Sequence, residues 1–169
     1  MEQKLDKKIE FTDRLFLFLK ENKFKLLLLI GLLLIIFIGL ILFKNFQEKK
    51  NILISEKYIQ AGIYLASEER KKSKKIYEEI ILSKNPFYSI LSLNTILEKE
   101  LEKDKDKILQ YFEILQNSPI SKDQKDLLII KKALFLKKTK ETNAGKNLLE
   151  NLKNSNSNFK GLAEEILSK

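Results

Sequence analysis

Residues 26–43 read LLLLIGLLLIIFIGLILF, eighteen consecutive positions without a charged side chain, a polar side chain or a proline. As an α-helix this segment measures about 27 Å, close to the roughly 30 Å hydrocarbon core of a bilayer. Lys23 and Lys25 precede the segment and Lys44 follows it, and their flexible stems can carry the ammonium groups to both headgroup layers. The segment therefore predicts a single transmembrane helix.

Two alternatives to a membrane anchor are less well supported by the residues around this segment. A buried core helix would need protein on all sides, and the rest of the chain has no second stretch of this kind. A cleaved signal peptide has an apolar region of about 7–15 residues and small residues before the cleavage site. Here 25 residues precede the apolar run, and Lys44-Asn45-Phe46-Gln47 follows it without an A-x-A pattern. We therefore expect the anchor to be retained.

The anchor divides the chain into a cytoplasmic tail (1–25), a transmembrane helix (26–43) and a periplasmic helical domain (44–169). Six lysines and arginines lie in residues 6–25 and four in residues 44–63. The excess of positive charge on the N-terminal side predicts that the N-terminus is cytoplasmic. In a Gram-negative bacterium the protein would then be a single-pass protein of the inner membrane.

The tail ends in an amphipathic stretch, residues 11–23, in which Thr12 can cap a short helix. Its apolar side chains predict one of two arrangements. The helix either lies against the inner surface of the membrane or extends the transmembrane helix towards the cytosol.

The composition excludes several kinds of chemistry. The chain contains no cysteine and no histidine, so it lacks disulfides, thiolate nucleophiles, the commonest general base and the commonest transition-metal ligand. We predict no catalytic, cofactor-binding or metal-binding residues, and no small-molecule substrate.

The net charge of +9 comes almost entirely from lysine, since Arg14 and Arg70 are the only arginines. Recognition of phosphates favours the planar guanidinium of arginine, so we expect no nucleic-acid partner. We ascribe the lysine content to a coding bias towards A+T-rich codons. Weak attraction to anionic lipid headgroups is a secondary effect. Four aromatic residues occupy apolar helix faces and are predicted to be core: Phe87, Phe112, Phe135 and Phe159.

Beyond the anchor, apolar residues recur every three or four positions, which is typical of one-sided helices. No segment alternates with a period of two, so we predict an all-α fold. In the first helix the recurring residues are Ile52, Ser55, Ile59, Ile63 and Ala66, with Tyr58, Gly62 and Leu65 alongside. The predicted helices are 46–66, 68–83, 87–100, 108–115, 122–138, 141–153 and 159–167.

Local signals mark several helix ends. Asn85-Pro86 ends one helix and caps the next, and Ser121 with Gln124 forms a capping box. Glu68 and Glu69 are expected in the first turn of their helix, where the helix dipole favours acids. Helix 122–138 is the most apolar outside the membrane, so we expect it to be the central and most buried element.

The breaks between helices are regularly spaced. First helices of successive pairs start near Pro86, Lys122 and Asn158, and second helices start near Glu68, Asp104 and Glu141, 35 to 37 residues apart. This spacing is close to the tetratricopeptide (TPR) period of helical hairpins, which stack to bury a continuous core. A compact helical bundle with accidental spacing is the alternative.

The layout resembles the single-span, TPR-like ancillary subunits of the bacterial Sec translocon, the YfgM-like proteins. The resemblance covers the whole chain. It is carried by Asp123–Leu128, Lys131–Leu136 and the ending Asn158–Leu167. This ending has an aromatic residue followed by Ala, an acidic residue and an apolar pair. The chain departs from the family in lacking Trp and most of the small packing residues. The resemblance implies a fold of TPR-like hairpins, an α-solenoid. It also implies partners among Sec translocon subunits and periplasmic chaperones, and a role in assisting exported proteins.

Stacked helical hairpins on a membrane anchor predict a protein-interaction module, and two other functions are alternatives to it. An envelope-assembly or cell-division scaffold would have the same architecture, and the sequence does not separate the two. An enzyme could use Glu78-Glu79, Glu164-Glu165 or Ser73-Lys74, but neighbouring residues on a helix point in different directions. Because no glycine-rich phosphate loop or nucleophile elbow is present, we expect no enzymatic activity.

Overall fold

The computed structural model describes residues 16, 18–20 and 22–168, and this part of the chain is helical without any strand. The all-α prediction is therefore confirmed for the described residues. The helices are α1 (Lys23–Ala66), α2 (Arg70–Leu82), α3 (Tyr88–Glu98), α4 (Lys105–Gln116), α5 (Lys122–Lys138), α6 (Thr142–Lys153) and α7 (Lys160–Leu167).

The chain divides into two compact units, Met1–Lys50 and Asn51–Lys169. In the first unit, α1 carries the apolar segment with its side chains exposed rather than packed inside protein. Its most apolar 18-residue window has a mean hydropathy of 3.4, so α1 is long and apolar enough to span a membrane. The predicted cap Thr12, and most of the amphipathic stretch that follows it, lie outside the described residues.

In the second unit each helix packs against its neighbours in the chain. Contacts join α2 to α3, α3 to α4, α4 to α5, α5 to α6 and α6 to α7, and α2 also contacts α4. The helices begin close to the predicted positions, and the predicted helix 122–138 has its expected bounds.

Polar contacts between the helices include Ser55–Tyr88 and Glu78–Tyr111, whose residues are 33 positions apart. Six others join residues 34 to 38 positions apart, close to the spacing in the sequence. The pairs are Asn51–Asn85, Tyr58–Thr95, Pro86–Gln124, Glu100–Lys138, Lys105–Glu141 and Asp123–Asn158.

Helix α5 joins the two apolar clusters of this unit. Leu128 belongs to the larger cluster, formed with residues of α1 to α4. Ile130 and Ala133 belong to the smaller cluster, formed with α6 and α7. Its central position agrees with the prediction, but the prediction that it is the most buried helix is wrong: five of its 17 residues are buried, against four of 11 in α3, and Leu134 is 45% exposed.

The apolar side predicted for the first helix after the anchor is also exposed. Ile52, Ile59 and Ile63 face solvent, whereas Ile54 and Ala61 are buried. The helix packs through the neighbouring face that carries Tyr58 and Leu65, which were predicted alongside. The ring centroid of Tyr58 lies 5.4 Å from that of Tyr77 and 5.7 Å from that of Tyr88. Aromatic rings bury more apolar area than isoleucine, which favours this face.

The caps predicted from sequence form as expected, but the position of two acids was wrong. Oδ1 of Asn85 accepts hydrogen bonds from the backbone N–H groups of Phe87 and Tyr88, and Ser121 with Gln124 makes both bonds of a capping box. Glu68 and Glu69 precede α2 instead of lying in its first turn. Glu68 has a φ of 62°, because the chain must reverse between α1 and α2.

Gly145 provides a test of the packing between α5 and α6. A Cβ atom at this position would lie 2.6 Å from the backbone oxygen of Ala133, whereas a Cβ at Gly161 would meet no atom within 4 Å. We expect Gly145→Ala to lower the free energy of unfolding by about 1–3 kcal/mol through overpacking. Gly161→Ala should leave it unchanged or raise it by up to about 1 kcal/mol, because alanine favours helix.

The measurement is urea unfolding of the detergent-solubilised full chain, followed by circular dichroism. Equal stability of the two variants would contradict the close approach of α5 and α6.

Candidate interaction groove

A groove lies between α3 and α5, with α4 at its base. Its larger part has a volume of about 530 Å³ and is lined by apolar side chains including Leu97, Leu134 and Phe135. A smaller part of about 190 Å³ is lined by Leu91, Leu127 and other apolar residues. Lys131 lines both parts, so they adjoin, and we call the two parts together the α3–α5 groove.

Within the described residues, two polar contacts bridge the surroundings of α3 and α5, one near each end of the groove. Nε2 of Gln124 donates to the backbone oxygen of Pro86 at 3.3 Å, and Nζ of Lys138 lies 2.8 Å from Oε1 of Glu100. The beginning of α5 therefore lies beside the beginning of α3, and the two helix ends also lie together, so the helices run in the same direction. The 14 helical steps from Gln124 to Lys138 correspond to a groove of about 21 Å.

The sequence of α5 explains why an apolar groove is left open. Apolar residues occur on three sides of this helix, and two of these sides are used by the two clusters. The third side carries Leu127, Lys131 and Leu134 at spacings of four and three, so these residues share one face. On this face Leu134 stays exposed, whereas Leu127 and Lys131 are half-buried.

The carboxylates that line the groove are already paired. Glu100 pairs with Lys138, and this hydrogen bond and charge lower the pKa of the Glu100 carboxyl. Glu102 pairs with Lys74 and Lys107. By contrast, neither Lys103 nor Lys131 has a salt bridge to any carboxylate within the described residues, although the charge of Lys103 acts on Glu100 and helps to lower its pKa. The groove therefore presents apolar surface with a net positive charge, to which Lys131 contributes.

Glu102 is part of a closed ring of ion pairs that joins α2, α4 and the loop between α3 and α4. Lys74 lies 2.6 Å from Glu102 and 3.8 Å from Glu78, and Lys107 lies 2.7 Å from Glu78 and 3.4 Å from Glu102. The hydroxyl of Tyr111 also donates to Glu78, at 2.7 Å. We call Lys74, Glu78, Glu102 and Lys107 the charge ring.

The charge ring shifts the ionisation of its members. Only 7% of the Glu102 side chain is exposed, and this burial opposes its ionisation. Hydrogen bonds from Lys74 and from the backbone N–H groups of Asp104 and Lys103 outweigh burial, so the pKa of Glu102 falls to about 2. The hydrogen bond to Glu78 raises the pKa of Lys107. The pKa of Tyr111 is also raised, mainly by burial and secondly by the Glu78 carboxylate.

The structure separates the side chains that the sequence offered as catalytic candidates. Ser73 is fully buried, and its Oγ has no hydrogen-bond partner in the described part of the chain. Its neighbour Lys74 belongs to the charge ring. Glu78 also belongs to the ring, while Glu79 pairs with Lys57 at 2.9 Å.

The other acidic pair is Glu164-Glu165. Glu164 forms a salt bridge of 3.0 Å with Lys153, a residue of α6. None of the candidate pairs lines the α3–α5 groove. The groove itself was not identified from the sequence, although the apolar residues on three sides of α5 were a signal that one side had to remain uncovered.

Comparisons of this chain with protein-family models, with curated proteins and with solved structures find no match. The function is therefore inferred from the residues of the chain, from its fold and from the groove.

Glu102 makes the stability of the helical domain sensitive to acid. Because its pKa is lower in the folded state than the ordinary value of 4.5, its stabilising contribution is complete above about pH 4.5 and is lost as the pH falls towards 2. We expect Glu102→Gln to lower the free energy of unfolding at pH 7 by about 1–3 kcal/mol, since hydrogen bonds between charged groups are lost. The variant should also show a weaker dependence on pH between 5 and 2.

Urea unfolding of the full chain in detergent at pH 3 and pH 7 measures both effects. Glu113→Gln is the control, since Glu113 is exposed on α4. An unchanged pH dependence in Glu102→Gln would mean that the charge ring does not govern acid sensitivity.

Proposed function

We propose that this protein is a membrane-anchored interaction module built from TPR-like helical hairpins, an α-solenoid, and that its α3–α5 groove binds other proteins. The groove is the observation that carries the proposal. It is apolar, it opens between parallel helices of consecutive hairpins, and it lies beside unpaired lysines. The repeated separation of 34 to 38 residues in the contacts between hairpins supports the TPR-like description.

In this proposal α1 crosses the bacterial inner membrane, the tail lies in the cytoplasm and the helical domain lies in the periplasm. The resemblance to the YfgM-like proteins supports Sec translocon subunits and periplasmic chaperones as partners, with exported proteins as clients. Attachment to the same membrane as the translocon raises the local concentration of the groove near emerging chains, so that modest affinity suffices.

A second candidate function is a scaffold in envelope assembly or cell division. Ile52, Ile59 and Ile63 favour it, because they form an exposed apolar stripe on one side of α1 within the second unit. A stripe with spacings of seven and four residues suits docking of a partner helix. In this candidate the stripe of α1, rather than the α3–α5 groove, is the principal contact.

The proposed topology predicts where single cysteines react. The chain has no cysteine, so Lys75→Cys on the exposed surface of α2 and Lys4→Cys in the tail each introduce one thiol. A maleimide that does not cross the inner membrane should label Lys75→Cys after the outer membrane is opened. Lys4→Cys should be labelled only after detergent is added. The reverse pattern would place the helical domain in the cytoplasm and overturn the proposal.

The partners are tested by photo-crosslinking in cells. We expect a photoreactive amino acid at Leu134, in the groove, to crosslink translocon subunits, chaperones or exported proteins. The same group at Glu113, exposed on α4 outside the groove, should not. Crosslinks to division or envelope-assembly proteins from Ile59, with none from Leu134, would favour the scaffold.

A further inference from the structure

We propose that the ligand of the α3–α5 groove is an extended, acidic and apolar segment of another protein, whose carboxylates pair with Lys131 and Lys103. This inference rests on the proposed function, since it names the chemistry of the partner. It follows from three properties of the groove: its exposed apolar surface, its net positive charge and its length.

The apolar surface defines one half of the ligand. Leu134 is 45% exposed, and Phe87 is 59% exposed, so the prediction that Phe87 is core is wrong. The two residues lie towards opposite ends of the groove. Exposed apolar side chains gathered in a concave surface mark an interaction site, because their hydration is released when a ligand covers them. The depressions on either side of Lys131 each accept apolar side chains of the ligand.

The charges define the other half. Glu100 and Glu102 are paired with lysines, so neither repels an acidic ligand strongly. Lys103 lies in the loop after α3, and Lys131 lies between the two depressions. An ammonium at the centre of an apolar groove is favoured when a carboxylate of the ligand meets it, and a lysine of the ligand would be repelled.

The length of the groove limits the ligand to a short segment. The contacts of Gln124 with Pro86 and of Lys138 with Glu100 bracket about 21 Å, which an extended peptide covers with about six residues. A second copy of this chain is disfavoured as the occupant, because each copy carries a net charge of +9. The same sign of charge disfavours the chain's own tail, in which basic residues outnumber acidic ones.

The experiment measures binding of three fluorescent hexapeptides to the full chain in uncharged detergent micelles by fluorescence anisotropy. The first alternates aspartate and leucine, the second alternates lysine and leucine, and the third alternates aspartate and serine. We expect the first to bind at least tenfold more tightly than either of the others. Its affinity should also fall as salt is raised, because the ion pairs are partly exposed.

Variants locate the site. Lys131→Glu should weaken binding of the aspartate and leucine peptide at least tenfold, and Lys131→Gln should weaken it less. Lys132→Glu makes the same change of charge at the adjacent position of α5, outside the groove lining, and should have a smaller effect. Circular dichroism checks that each variant keeps its helix content, and the Lys131→Gln variant serves if Lys131→Glu fails to fold.

Three results would overturn the inference. The first is equal binding of all three peptides, or binding of none. The second is equal weakening by Lys131→Glu and Lys132→Glu, which would indicate general attraction to a basic protein. The third is displacement of the peptide from the groove by vesicles rich in phosphatidylglycerol but not by neutral vesicles, which would make a lipid surface the ligand.

Failure of this inference can be told apart from failure of the proposed function. Crosslinking from Leu134 in cells, together with no preference for the acidic peptide in solution, would retain the interaction groove and reject the acidic ligand. Absence of crosslinks from Leu134 together with no preference for the acidic peptide would reject both the interaction groove and the acidic ligand.

Discussion

The second unit depends on the need of short helices to bury their apolar faces against their neighbours in the chain. Helices α2 to α7 have between 8 and 17 residues, a length at which isolated helices are marginal in water. Each therefore gains most of its stability from tertiary contacts. Because α5 supplies Leu128 to one cluster and Ala133 to the other, it couples the two clusters into a single unit.

Charged contacts have a different role from the apolar clusters. Exposed salt bridges such as Lys138–Glu100 contribute little stability, and this one joins the end of α5 to the loop after α3. In the charge ring, Glu102 is nearly buried. Burying its carboxylate would cost free energy without the ion pairs to Lys74 and Lys107. The charge ring holds the loop after α3 against α2 and α4, and this loop forms one end of the groove.

Features that depend on a few adjacent residues could be predicted from the sequence, and features that depend on tertiary approach could not. The caps at Asn85 and Ser121 are local hydrogen-bonding patterns, and they form as expected. The buried side of α1 depended on which side other helices approach, so the pattern of Ile52, Ile59 and Ile63 was misleading. Helix ends were hard to place because Glu68, Lys84, Glu100 and Lys140, rather than glycines, adopt positive φ there.

The residues that line the α3–α5 groove explain why the groove is open. Phe112 of α4 is fully buried at the base, with its ring centroid 6.3 Å from that of Phe135, so α4 fills the space below the groove. Closure of α3 onto α5 above it would strip water from the ammonium of Lys131, which forms no salt bridge within the described residues. Burying an unpaired charge is costly, and this cost disfavours closure of the groove.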